Sequence, residues 1–336
     1  MHLITDRWYA VLAAGEVPAG KPIAARRMGR DMVFWRDARG AVVAALDVCP
    51  HRRAKLSPGR LKGGCIECPF HGFVFNGEGA CTSIPAHPDR PISGAMSLHT
   101  LPAREEHGFV WLWTGPAAAP SEPVPFFDFT GFDATGSQFT VDVNTHYTRA
   151  IENQLDFTHL PFVHRTTIGR FASVEVDARA SFEGDLLRAS QSGSSTGIEF
   201  LGPNIWRLKT GPTWQFLAFA PIDDTHMRYY LRSYQPWTRS RPLAWLVGKA
   251  GTISSRFIVG QDTAVVESQP AGETRLRMGE VLLPSDIPII AYRRWREERR
   301  FEFAPGVRLG LVDDDSEDSL ESPNARISNL ECTTLG

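Results

Sequence analysis

Two short motifs constrain this chain more than any other feature: Cys49-Pro-His51-Arg-Arg and Cys68-Pro-Phe-His71-Gly, with sixteen residues between His51 and Cys68. A C-x-H and a C-x-x-H motif bring two thiolates and two imidazoles together on paired loops. That donor set suits a [2Fe–2S] cluster in which Cys49 and Cys68 hold one iron and His51 and His71 the other. Two neutral imidazoles in place of thiolates reduce the negative charge and raise the potential, to about −150 to +300 mV. Such a cluster can accept electrons from a lower-potential ferredoxin. A zinc site is the alternative, because Cys65-x-x-Cys68 with Cys49 or Cys81 also has zinc spacing. The proline after each motif cysteine and the glycine after His71 fit two tight turns better than a zinc knuckle. Four of the five cysteines (Cys49, Cys65, Cys68, Cys81 and Cys332) crowd into one histidine-containing region, which favours metal binding over a disulfide framework.

The rest of the chain is long enough to support a second site. Its 336 residues are 42% hydrophobic, sufficient for a sizeable core. With 36 Lys and Arg against 38 Asp and Glu, no charge excess points to nucleic acid or an anionic membrane surface. No run approaches the roughly 18 apolar residues of a membrane span, and the start lacks a basic region followed by an apolar one. A cytoplasmic protein is the expectation.

Short apolar or alternating runs (32–35, 41–46, 109–113) broken by Gly, Pro and Asp predict a small all-β domain over 1–115. A Pro- and Ala-rich connection follows. A second domain is expected over 116–312, and an acidic, apolar-poor tail over 313–336. Helical character runs from Tyr147 to about Val163, where Pro161 distorts or ends the helix. Alternation between Phe182 and Gln235 predicts several antiparallel strands, and Ser285 or Asp286 is placed to cap a helix reaching about Phe303.

Within the predicted helical segment, Glu152-Asn153-Gln-Leu-Asp156-Phe-Thr-His159-Leu-Pro-Phe-Val-His164 sets two histidines five apart. On a regular helix that spacing separates them by about 140°, so the irregularity at Pro161 is what lets the imidazoles converge. Two histidines and a carboxylate form the facial triad of a non-haem Fe(II) oxygenase, with positions left open for O₂ and substrate. Asp156 is near but N-terminal to His159. Asp262, an acid among apolar residues at the expected start of a helical turn, is preferred, with Glu267 and Glu152 as competitors.

The early Trp8-Tyr9, C-P-H, C-P-F-H-G, N-x-x-D-x-x-H-x4-H and Q-D-x-x-V-V-E-S-Q, in that order, resemble the α subunit of the Rieske oxygenases, particularly the branch that includes vanillate and dicamba O-demethylases. The resemblance implies an α+β protein: an N-terminal Rieske all-β domain, then a helix-grip (START/Bet v 1-like) catalytic domain with a curved antiparallel sheet. It implies a [2Fe–2S] cluster on Cys49, His51, Cys68 and His71, and a mononuclear Fe(II) on His159, His164 and Asp262. It further implies that Asp156, together with Asn153, belongs to the catalytic set, with Asp156 linking His71 of one chain to an iron histidine of the next in a homotrimer. Two positions depart from the common pattern: Arg53, where Gly often follows C-P-H-R, and Phe73, where Trp is frequent.

The activity implied is a terminal monooxygenase that hydroxylates or demethylates a small aromatic or cyclic substrate with O₂. Its electrons would come from NAD(P)H through a separate ferredoxin or flavin reductase, since no G-x-G-x-x-G element offers a nicotinamide site here. The competing readings are a Rieske electron carrier, a ring-dihydroxylating dioxygenase, and a zinc-stapled binding protein. Alternation makes Trp206, Trp214, Phe216 and Tyr230 candidates for the pocket lining, with Asn204, Arg207 and His226 as polar candidates.

Overall fold

The computed structural model describes residues 1–301 apart from 117, 129–134, 194–196, 212 and 235–239. The expected tail, Cys332 and the last residues of the helix expected to reach Phe303 lie outside the described residues. The chain forms two compact units. One comprises Ala13–Arg26 and Asp31–Pro120, the other Met1–Leu12, Arg27–Arg30 and the described residues from Ser121 onward.

Among the described residues the earlier part of the chain is built of strands: β1 (Trp8–Ala13), β2 (Ile23–Arg27), β3 (Arg30–Arg36), β4 (Val42–Leu46), β5 (Arg60–Lys62), β6 (Cys65–Glu67), β7 (Val74–Phe75), β8 (Cys81–Ser83), β9 (Thr100–Leu101), β10 (Ala103–Glu106) and β11 (Phe109–Trp113). Strands β2-β3-β4-β9 form one sheet and β5-β6-β7-β8 another. Alternation along β3 and β4 turns Val33, Trp35, Val43 and Ala45 inward, where they pack with Ile66, Phe75, Leu56 and Phe73 beneath the two cysteines. This core is the platform for the first site.

The later unit is a seven-stranded antiparallel sheet in the order β12-β18-β17-β16-β15-β14-β13. Its strands are β12 (Thr135–Val143), β13 (Ala178–Glu183), β14 (Leu186–Gln191), β15 (Gly197–Leu201), β16 (Ile205–Thr210), β17 (Thr213–Pro221) and β18 (Met227–Tyr234). Register places Phe139, Leu231, Leu217, Trp206, Phe200, Leu187 and Phe182 opposite one another across all seven strands, so one face carries a continuous apolar row. Among the described residues four α-helices accompany the sheet: α1 (Tyr147–Leu155), α2 (Leu160–Val163), α3 (Arg241–Val266) and α4 (Ile287–Phe301). Helix α4 packs on the apolar row through Tyr292 and Trp295 against Phe200, at ring separations of 5.2 and 5.9 Å, and through Trp295 stacked on Phe182. Helix α1 meets the same face, where Trp206 Nε1 donates to the Gln154 carbonyl at 3.1 Å.

The expected α+β order is observed, and the expected strands are present. Three helical details differ. The helix expected through Val163 stops at Leu155, because Asp156 leaves the helical conformation at φ −83°, ψ 129°, and Pro161 then opens α2, where its missing N–H is not needed. The turn expected to start at Asp262 is instead the end of the 26-residue helix α3. Its exposed side mixes Leu246, Ile253 and Phe257 with Lys249, Ser254 and Arg256, which blurs the periodicity.

Candidate metal centres

The two cysteine motifs fold into the same turn. Cys49 N donates to Ala54 O and Arg53 N to Cys49 O, at 2.8 and 2.9 Å; Cys68 N donates to Phe73 O and Gly72 N to Cys68 O, at 2.8 and 3.0 Å. The fifth residue of each turn has positive φ, 56° at Arg53 and 74° at Gly72. Asp47 braces the first turn from below, accepting from Leu56 N, Ser57 N and Ser57 Oγ at 2.6–2.8 Å. Both cysteines are buried and free, whereas both histidines are exposed. The imidazoles lie edge to face at 4.7 Å, with His51 stacked on Phe73. Burial pushes the Cys49 thiol up to about 11, against backbone N–H groups of His51 and Arg52. A thiol held so high ionises only beside positive charge, which an iron centre supplies. The donor set therefore fits a mixed Cys₂His₂ cluster.

The second set forms where α1 breaks. Thr158 donates to Asp156 Oδ1 from both its N–H and its hydroxyl at 2.6 Å, so the chain turns and restarts as α2. His159 stands immediately before that single helical turn and His164 immediately after it. This flanking arrangement brings histidines five apart to a ring separation of 5.2 Å. Asp262 arrives from α3, with Oδ1 2.9 Å from His164 Nε2 and 3.5 Å from His159 Nε2. One ligand atom from each of the three residues lies within 4.8 Å of the others. His164 is 1% and Asp262 3% exposed.

The proton pattern favours a cation at this point. Gln261 Oε1 lies 2.9 Å from His164 Nδ1, and a carbonyl oxygen can only accept, so Nδ1 carries the hydrogen. In the neutral ring Nε2 then presents a lone pair to the acceptor-only Asp262 at 2.9 Å. A proton or a metal ion must lie between them. Burial opposes charge on His164, but Asp262 and Gln261 outweigh it and raise its pKa. Burial likewise works to raise Asp156, while His159 and Thr158 hold it below the usual carboxylate range.

Residues 7–102 match the model of the Rieske [2Fe-2S] domain, and residues 143–195 match the vanillate O-demethylase oxygenase C-terminal domain. The chain carries a Rieske [2Fe-2S] domain followed by a vanillate O-demethylase-type oxygenase domain. The first domain holds a [2Fe–2S] cluster, and the oxygenase domain is of a kind that binds mononuclear iron. Chlorophyllide a oxygenase of Chlamydomonas reinhardtii is 29% identical over 90% of this chain and 49% of its own length. The oxygenase component of dicamba O-demethylase from Stenotrophomonas maltophilia is 31% identical over 56% of this chain and 53% of its own. The chain thus spans about half the length of the curated relatives it matches. In fold it is similar to NdmA of Pseudomonas putida CBB5, with a TM-score of 0.73 and 22% identity, covering 88% of this chain and 90% of that one. Dicamba monooxygenase bound to 3,6-dichlorosalicylic acid gives 0.74 and 20%, covering 90% and 99%.

In this Rieske chain the three candidate acids separate cleanly. Glu152 is buried in a two-pronged pair with Arg293 at 2.7 and 2.8 Å. Glu267 is exposed and accepts from Asn144 N. Asp262 alone of the three joins the histidines. Asn153 Nδ2 is buried with no hydrogen-bond partner among the described residues. Of the four aromatic pocket candidates only Trp206 faces the helices. Trp214, Phe216 and Tyr230 lie on the opposite face of the sheet, since β17 and β18 pair 216 with 232 and 218 with 230, out of phase with the Trp206–Leu217 row. Tyr229 does share the Trp206 face, and burial followed by the Asp262 charge raises its pKa well above the usual phenol value. The polar candidates have structural partners: Asn204 bonds Ala10 and Phe219, Arg207 pairs with Glu199, and His226 pairs with Asp223. The glutamines beside the triad, Gln154 and Gln261, were missed, because a glutamine carries no signal until its neighbour is known. No described helix is long and apolar enough to cross a membrane.

Proposed function

We propose that this chain is the terminal oxygenase of a multicomponent monooxygenase system, which hydroxylates or O- or N-demethylates a small aromatic or cyclic substrate with O₂ and electrons from NAD(P)H. The observation that carries the reading is the His164 lone pair set against Asp262 Oδ1 at 2.9 Å with His159 alongside, in a chain that also bears the two cysteine–histidine turns. Relatives are named as oxygenase components, among them those of dicamba O-demethylase and chloroacetanilide N-alkylformylase. The electron donor would be a separate ferredoxin or flavin reductase.

Cys49, Cys68, His51 and His71 would hold the cluster, and His159, His164 and Asp262 the mononuclear iron. When bound, these groups supply single-electron transfer and the activation of O₂ for insertion into a carbon–hydrogen bond. Gln261 holds the proton on His164 Nδ1 and so keeps Nε2 available. Asp156, with Oδ1 engaged by Thr158 and Oδ2 3.7 Å from His159 Nδ1, orients that ring and offers a carboxylate to a neighbouring subunit's His71 in a homotrimer. Asn153 adds a buried amide one residue before Gln154. The apolar row around Trp206 and Leu217 excludes water. Hydroxylation at an O- or N-methyl carbon gives a hemiacetal or hemiaminal that releases formaldehyde, so demethylation and hydroxylation are one reaction class.

Iron and acid-labile sulfide per chain on anaerobically purified protein test this. Wild type should hold about three irons and two sulfides, and His159→Ala about two irons with the cluster spectrum retained. Two irons in both proteins would leave only an electron carrier. Zinc without sulfide would overturn the reading.

A further inference from the structure

Asp262 presents its two oxygens to different surroundings. Oδ1 faces both imidazoles, at 2.9 and 3.5 Å. Oδ2 accepts from Gln154 Nε2 at 3.2 Å. The orientation of that amide follows from the chemistry, because a carboxylate only accepts and the NH₂ end must therefore face it. Gln154 is itself tied down: it lies in the last turn of α1, and its backbone carbonyl accepts the indole N–H of Trp206. Asp262 is 3% exposed, so bulk water is not on hand to replace the amide.

A carboxylate that chelates a metal ion through both oxygens must turn its plane until both are about equally near. Here that rotation would withdraw Oδ2 from Gln154 and leave a donor without its acceptor in a partly buried setting. Opposite the amide, the two imidazole nitrogens converge on Oδ1 alone. We propose that Gln154 is a positioning residue that restricts Asp262 to ligation through Oδ1. One more coordination position then stays open to O₂ or substrate than two-oxygen ligation would leave. The inference rests on the reading of His159, His164 and Asp262 as the iron site.

The test uses the full chain carrying its cluster, with Co(II) loaded into the mononuclear site. Cobalt K-edge X-ray absorption then reports that site alone, because the cluster contains only iron. Wild type should show imidazole scattering and the Asp262 carboxyl carbon at the longer distance of one-oxygen ligation. In Gln154→Met, similar in length but without a donor, that carbon shell should move inward to the two-oxygen distance. Trp206→Phe, which loosens the same helix while keeping the amide, should leave the shell where wild type has it. A two-oxygen shell in wild type overturns the inference and leaves the triad standing. An unmoved shell in Gln154→Met removes Gln154 from the role. Cobalt that does not bind, or binds without imidazole, overturns the triad and the inference together.

Discussion

Arg53 occupies a backbone position that its partner turn gives to glycine. The two cysteine turns close with the same pair of hydrogen bonds, yet the residue with positive φ is Gly72 in one and Arg53, at φ 56°, in the other. A side chain there costs roughly 1–2 kcal/mol, and glycine's extra freedom in the unfolded chain returns part of that. Arg53→Gly should therefore raise stability by about 0.5–1 kcal/mol, read as a higher thermal midpoint with the cluster spectrum unchanged. His146 gives the pH response. Burial, then the Arg296 charge, push its pKa down to about 3, while Nδ1 accepts from Thr148. Below pH 6.5 the unfolded chain takes up a proton that the folded chain refuses until about pH 3. Stability should fall through that window by up to about 1.4 kcal/mol per pH unit. Urea unfolding at pH 7.5 and 5.5 should show a shallower loss in His146→Gln, and equal losses would refute the assignment. At this scale the two cysteine–histidine turns were legible from spacing alone. Asp262 was one of three acids, because what separates it from Glu152 and Glu267 is the company of Arg293 and Asn144, which sequence does not display.

At the scale of elements, the proposed iron site depends on how the break after α1 is packed. Gly169 sits where an added Cβ would lie 1.8 Å from the Leu160 carbonyl oxygen, and its N–H donates to His164 O. Gly169→Ala must push α2 aside, at about 1–3 kcal/mol. It should release the mononuclear iron while leaving cluster absorbance intact, and a variant with full iron content would show that the turn tolerates the shift. The Glu152–Arg293 pair joins α1 to α4 with both partners buried. Glu152→Ala leaves a buried guanidinium with only the half-exposed Glu280 at 2.7 Å, and should lower unfolding free energy by about 3 kcal/mol. Alternation carried enough information to place the strands of the large sheet, but not to tell its two faces apart: Trp214 and Phe216 are apolar because Arg207 and Phe127 pack against them outside the Trp206 row. Helix α3 was missed for a related reason, since many of its exposed positions are apolar and it contains three glycines.

For the molecule as a whole, the order of motifs conveyed two metal sites, but not which chain completes the electron path, because that depends on surfaces that no local pattern records. Asp156 keeps one oxygen within its own chain and retains partial exposure, while His71 is exposed in its own unit. Both are thus accessible to a second copy. If electrons pass between subunits around a cyclic trimer, a chain without a cluster and a chain without iron can repair each other. Co-expressing a cluster-free Cys68→Ser chain with His159→Ala in equal amounts should then restore activity that neither has alone. With random assembly, a given subunit keeps its iron in half of cases and has a cluster-bearing neighbour on the donating side in half. The restored rate per chain should therefore approach roughly one quarter of wild type. Mixed assemblies that form but stay inactive would place both ends of the electron path within one chain and remove Asp156 from the inter-subunit role.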